Sequence, residues 1–177
     1  MKPPRAGTYI YHTHMHNSQL LAGMYGPMIV KEPGEKYDAD KNRIFLIGQG
    51  GADVVLDRKF FINGIRANDT MLLETNNNYR FRLINITALA ATFNISLLHN
   101  AVPINWKILA KDGADFPANQ QVIKPAFKQT ISIGETIDFE FQPTEKGDYH
   151  FEVRGGDGSL RITKLIRIIE KPAISFR

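Results

Sequence analysis

The chain has 177 residues, 43% hydrophobic and 23% charged, enough for one domain of ordinary size with its own core. Its net charge is +4 and its pI about 9.3, but the basic residues are scattered, with no Lys/Arg run or basic helix, which argues against nucleic-acid binding. There is no cysteine, which excludes disulfides and thiolate metal sites, and no apolar run approaches membrane-spanning length.

The N-terminus, Met1-Lys2-Pro3-Pro4, shows no apolar signal-peptide core. The first predicted element is a strand from about Gly7 to His14, favoured by the β-branched and aromatic residues before His12. Three of the five histidines, His12, His14 and His16, follow at spacing i, i+2, i+4. On a strand this points all three imidazoles to one face. Neutral imidazole is a common ligand of copper and zinc, so the three are candidate metal ligands; the alternative is a polar, solvated strand face. Same-face residues on a strand lie about 6.6 Å apart in Cα. His12 and His14 could therefore tilt onto one ion or serve two. One strand leaves either arrangement short of the roughly four ligands that copper(II) takes.

A loop with Asn17, Ser18 and Gln19 leads to a second strand, Gly26 to Lys31. Residues 32–41 are polar, with Pro33 and Gly34, and read as a linker. Short apolar runs then recur with turn residues between them: Arg43 to Gly48, Phe60 to Gly64, Thr70 to Glu74, Tyr79 to Ile86, Phe93 to Leu98 and Asn105 to Ala110. Gln121 to Ile123, Phe127 to Ile133, Ile137 to Phe141, Tyr149 to Val153 and Leu160 to Ile169 complete the series. This spacing predicts an all-β sandwich or barrel over 42–171, with a tail at 172–177. Ala88 to Ala91 could form one turn of helix. Asn63-Gly64 and Asp112-Gly113 are turn signals. Arg80 and Arg82 alternate with Phe81 and Leu83, as on a half-buried strand.

Outside the histidine segment, His99 reads as structural or surface and His150 as an outward strand residue. Asp112 and Asp115 could form a carboxylate pair, but a turn explains them better. The N-x-S/T triplets at Asn68, Asn85 and Asn94 are of a kind frequent by chance. Trp106 reads as core or loop.

Gly7-Thr8-Tyr9-Ile10-Tyr11-His12-Thr13-His14, Gln19, and Ala22-Gly23-Met24-Tyr25-Gly26-Pro27-Met28-Ile29-Val30 resemble the "GTYWYHSH … GLxGPLIV" segment of multicopper oxidases, the laccases and their relatives. Farther on, Phe61-Ile62-Asn63-Gly64, Tyr79 to Asn85, Ala110 to Asp115 and Gly134 to Phe139 are similar to that family's "INGK", "YRLRLIN", "AxDGxxxxP" and "GERYDFxF" segments, in the same order. The resemblance implies a cupredoxin-like Greek-key sandwich without ligands over 42–171. Before it, 1–31 would be a partial cupredoxin hairpin, so the chain is expected to be a fragment.

By the same resemblance the cofactor is copper, and His12 and His14 are ligands of a trinuclear-type (type 2/3) cluster. His16 lies outside the family pair and is kept as a candidate metal ligand of open role. The family's type-1 motif fails here, because the position of its cysteine is Thr13. The implied function is an oxidoreductase that oxidises phenols or metal ions with dioxygen, in a periplasmic or extracellular setting. The competing reading is a non-catalytic copper-binding or structural module. Two isolated strands are marginal in water. The hairpin, with Ile10, Met28 and Val30 on its apolar face, is therefore expected to dock on 42–171 or to meet another copy. A homo-oligomer, dimer or trimer, is the expected state, with His12 and His14 near its interface.

Overall fold

Alternation of apolar and polar residues along short, β-rich runs yields fifteen strands among the described residues. The structure is a computed structural model and describes residues 3–50, 59–66, 69–88, 92–125 and 129–171. Asn68, most of the Ala88–Ala91 turn, the start of the strand expected from Phe127 and the tail 172–177 lie outside these residues.

β1 (Gly7–His12) and β2 (Tyr25–Val30) form an antiparallel hairpin, joined through the short helix α1 (Asn17–Leu21). The sandwich begins with β3 (Asn42–Gly50), β4 (Lys59–Ile62), β5 (Thr70–Glu74), β6 (Tyr79–Asn85) and β7 (Thr92–His99). It continues with β8 (Val102–Pro103), β9 (Asn105–Lys111), β10 (Ala114–Asp115), β11 (Ile123–Pro125) and β12 (Gln129–Ser132). β13 (Thr136–Phe141), β14 (Gly147–Gly155) and β15 (Leu160–Ile169) complete it. One sheet runs β10-β9-β13-β6-β3-β4, with β11 also on β9; the other runs β12-β7-β14-β15-β5, with β8 on β7. Pairing is antiparallel except for β3 with β6 and β5 with β15. The all-β sandwich expected from the spacing is present, and β5 and β15 have the expected bounds. Two-residue β8 and β10 and helix α1 were not legible, because elements this short carry no period.

The core lies between the two sheets. Phe45, Phe81, Phe93, Phe139, Phe151 and Trp106 are buried there, with Phe45 4.8 Å from Phe81 and 4.5 Å from Phe151 between ring centroids. Trp106 stacks on Phe139 at 3.9 Å. Burying each such ring contributes about 2–3 kcal/mol. Tyr79, Phe81 and Leu83 of β6 point into this core.

Of the alternating arginines of β6, Arg80 is half-buried as expected, but Arg82 does not face water. Arg82 is only 5% exposed, because the β1–β2 hairpin covers the outer face of the sheet. β1 contacts β6, β10 and β13; β2 and α1 contact β3. Two close approaches seat the hairpin. Tyr9 lies against Gly113, where a Cβ would collide with the ring, and Tyr25 lies over Gly48 in the same way. Gly113 also adopts φ +74, following Asp112 at φ 48, so the turn itself favours glycine.

Candidate metal centre

β1 leads to the candidate histidine pair, from a buried foot to an exposed tip at His12. Gly7 and Thr8 are buried, Tyr9 and Ile10 half-buried, Tyr11 and His12 exposed. At the foot, Thr8 Oγ1 donates to Asp138 Oδ2 at 2.9 Å, and Thr136 Oγ1 donates to the Thr8 carbonyl at 3.0 Å. Arg82 Nη1 donates to Asp138 Oδ2 at 2.9 Å and to Thr8 Oγ1 at 2.7 Å, and Arg80 Nε donates to the same carboxylate oxygen at 2.7 Å. Arg82 is also fixed by Asn42 Oδ1, at 3.0 Å from Nε and 2.7 Å from Nη2. Burial pushes the Asp138 carboxyl up, and Arg80 and Arg82 pull it back. Burial likewise lowers the Arg82 guanidinium, against the pull of Asp138. Asp138 Oδ1 is buried with no hydrogen-bond partner among the described residues. The network therefore converges on one carboxylate oxygen beneath the hairpin.

At the tip the strand ends at His12, so the three histidines do not share one strand face. His14 follows in a bend, and His16 is the extended N-cap residue of α1. All three are exposed. The chain brings His12 and His14 together, with ring centroids 4.4 Å apart and planes tilted by 31°. No group of three His, Asp or Glu side chains placed to hold a metal ion occurs among the described residues, so His16 does not complete a triad with the pair. His12 Nδ1 lies 2.9 Å from the Thr13 carbonyl oxygen. A carbonyl only accepts, so Nδ1–H is the donor of this contact and Nε2 is the ring nitrogen not engaged by it. Imidazole binds a metal through either ring nitrogen, and in this geometry Nε2 of His12 is the one left open; imidazole ligands suit copper. The fit covers two of copper's roughly four ligand positions.

The loop behind the pair is closed by its own polar groups. Thr13 N–H donates to the Met24 carbonyl at 3.0 Å, Met24 N–H to Gln19 O at 3.0 Å, and Gln19 N–H to His16 O at 3.0 Å. Thr13 Oγ1 donates to Gln19 Oε1 at 2.5 Å and accepts from Met15 N–H at 3.3 Å. The roles of Thr13, Arg82 and Asp138 were not anticipated from sequence. The only signal was an Arg-x-Arg strand and an Asp strand that could pair, and pairing register is a tertiary property.

The remaining candidates lie away from the pair. His99 stacks on Tyr149 at 4.1 Å, with Nδ1 3.6 Å from Glu145 Oε2. His150 points outward from β14. Asp112 Oδ1 accepts from Thr136 N–H, whereas Asp115 pairs with Arg80, so the two aspartates have separate structural partners. Asn85 is buried, with Nδ2 donating to the Ile131 carbonyl and Oδ1 accepting from Thr87, which excludes it as a surface acceptor.

Residues 2–35 match the multicopper oxidase family model. The solved structure of a multicopper oxidase superposes with TM-score 0.74 and 16% identity, over 93% of this chain and 57% of that one. McoA multicopper oxidase from the hyperthermophile Aquifex aeolicus gives TM-score 0.74 and 18% identity, over 97% of this chain and 43% of that one. The family match covers residues 2–35, and the chain as a whole has the fold of solved multicopper oxidases. The solved multicopper oxidases that share this fold are copper proteins by name. The fold alone does not select the reaction. A copper-containing nitrite reductase from Thermus scotoductus superposes at TM-score 0.68 and 15% identity, over 93% of this chain and 41% of that one. The chain spans about half the length, or less, of these multicopper oxidase structures. No curated protein matches it. No helix among the described residues is long and apolar enough to cross a membrane.

Proposed function

We propose that this chain is a copper-binding part of a laccase-like oxidase, in which His12 and His14 are type 2/3 copper ligands. The observation that carries the reading is the imidazole pair, 4.4 Å apart, inside the segment that matches the multicopper oxidase family. Copper, when bound, supplies one-electron chemistry between a phenolic or metal-ion reductant and dioxygen. The chain's own residues do the holding. His12 offers Nε2 while Thr13 keeps its other nitrogen occupied. His14 stands beside it, and the Thr8–Arg82–Asp138 network holds the base of the strand that carries the pair.

Two ligands are half a copper site, so others come from beyond the pair, and a homo-oligomer, dimer or trimer, with the histidine tips near its interface would supply them. His16, exposed and two residues beyond His14, is the third candidate ligand in such an assembly. The setting is periplasmic or extracellular, where such oxidases meet small reductants. Titration of the chain with copper should show binding that is lost in His12→Ala/His14→Ala; an unchanged affinity in the double variant would end the assignment. The loaded protein should show no intense thiolate-to-copper band, since there is no cysteine.

A second reading, a non-catalytic copper-binding or structural module, is favoured by the lack of a three-residue cluster among the described residues. Oxygen uptake with a phenolic reductant separates the two: consumption that requires copper supports the oxidase, and copper binding without consumption supports the module.

A further inference from the structure

We infer that Thr13 and Gln19 are positioning residues that set the tautomer and aim of the His12 imidazole. The inference rests on the copper reading above for its purpose, but its observable belongs to the metal-free chain. Thr13 occupies the middle of the histidine pair, and all of its polar groups are engaged. Its carbonyl accepts from His12 Nδ1–H at 2.9 Å. Its N–H is held by the Met24 carbonyl at 3.0 Å. Its hydroxyl donates to Gln19 Oε1 at 2.5 Å and accepts from Met15 N–H at 3.3 Å. Gln19 is itself fixed through both backbone groups, to His16 O and from Met24 N–H, each at 3.0 Å.

A carbonyl at an exposed strand end would ordinarily rotate freely. Here the residue that carries it is pinned on either side, so the acceptor facing His12 keeps one orientation. Free imidazole in water interchanges tautomers readily, and the nitrogen left for metal is set by the bond the other nitrogen makes. A fixed acceptor at Nδ1 leaves Nε2 as the donor atom and prepays the ordering of the ring before the ion arrives. His14 has no such hydrogen bond among those found for the described residues, so within the pair His12 is the pre-oriented member and His14 the adaptable one.

Long-range 1H–15N NMR of the metal-free full chain reads the ring directly, with His12 signals assigned by their loss in His12→Ala. Wild type should show His12 protonated at Nδ1. Thr13→Val, which removes the hydroxyl at nearly constant volume, should give a tautomer mixture, and Thr13→Ser should restore the wild-type pattern. Gln19→Leu should behave as Thr13→Val does, and serves if that variant folds poorly. Titration with copper(II) sulfate should show affinity lowered on the order of 10-fold in Thr13→Val and Gln19→Leu. A wild-type His12 protonated at Nε2 would overturn the inference, as would unchanged tautomer and affinity in both variants. A tautomer shift in the variants of a chain that takes up no copper at the pair would uphold the positioning and overturn the copper reading instead.

Discussion

In the sandwich core, Phe45, Phe81, Phe139 and Phe151 are completely shielded from water. At the histidine tip, Tyr11, Met15 and Met24 are 59%, 74% and 55% exposed, and His12, His14 and His16 are exposed beside them. The core is held by apolar contact that is non-directional and scales with area. The tip is held by single directional hydrogen bonds, most of them within the thirteen residues from His12 to Met24. Stability therefore resides in one region and the candidate metal ligands in the other, with the Thr8–Arg82–Asp138 network as the joint.

The largest break in this contrast should come from the core. Phe81→Ala removes a ring that packs on Phe45 and Phe141 and should cost about 3–5 kcal/mol in urea unfolding. A cost below about 1 kcal/mol would mean that the two sheets are not packed as described.

Next is the joint. Asp138→Ala leaves Arg80 and buried Arg82 without their shared carboxylate and should destabilise the chain by about 3 kcal/mol. Amide exchange in β1 should rise with it, because Thr8 loses its acceptor. Unchanged exchange in β1 would separate the hairpin from the network.

Gly48→Val tests the seat of the hairpin more locally. The added side chain meets Tyr25 and should cost about 1–3 kcal/mol by overpacking, with faster proteolysis between β1 and β2 than within the sandwich.

A smaller effect is expected from acid. Burial pushes the Glu135 carboxyl up, but the Ser132 N–H and Lys111 outweigh it and hold it below the ordinary glutamate value. A carboxyl depressed in the folded state contributes stability above its unfolded value, about 4.3, and loses it as pH falls through the folded value. Glu135→Gln should therefore flatten the acid limb of the stability profile by about 0.5 kcal/mol, as expected for a partly exposed, solvent-screened pair. An unaltered acid limb would remove Glu135 from the account.

The smallest change in stability should follow His12→Ala/His14→Ala, within about 0.5 kcal/mol because both rings are exposed. Copper binding should nevertheless be lost. If the double variant instead unfolds readily in the metal-free state, the tip is part of the structural core and the division drawn above is wrong.

The strand periods, the turns at Asn63-Gly64 and Asp112-Gly113, and the spacing of His12 and His14 were readable along the chain, because each depends on residues within a few positions of one another. Alternation of Phe81 and Leu83 with Arg80 and Arg82 gave β6 its core face. It did not give the fate of the other face, which became buried only because a hairpin some seventy residues earlier folds over it. The shared-face reading of His12, His14 and His16 assumed a strand that continued through all three. The chain turns after His12, since Thr13 is drawn back to Met24 and Gln19, and this brings two rings together while His16 caps a helix. By itself, then, the sequence determined the element types and which residues are candidate ligands, both local properties. That Arg80 and Arg82 meet Asp138 beneath Thr8 was decided by the tertiary structure, because it depends on the register and docking of segments far apart in the chain, and the meeting of His12 with His14 by the turn that Thr13 makes onto Met24 and Gln19.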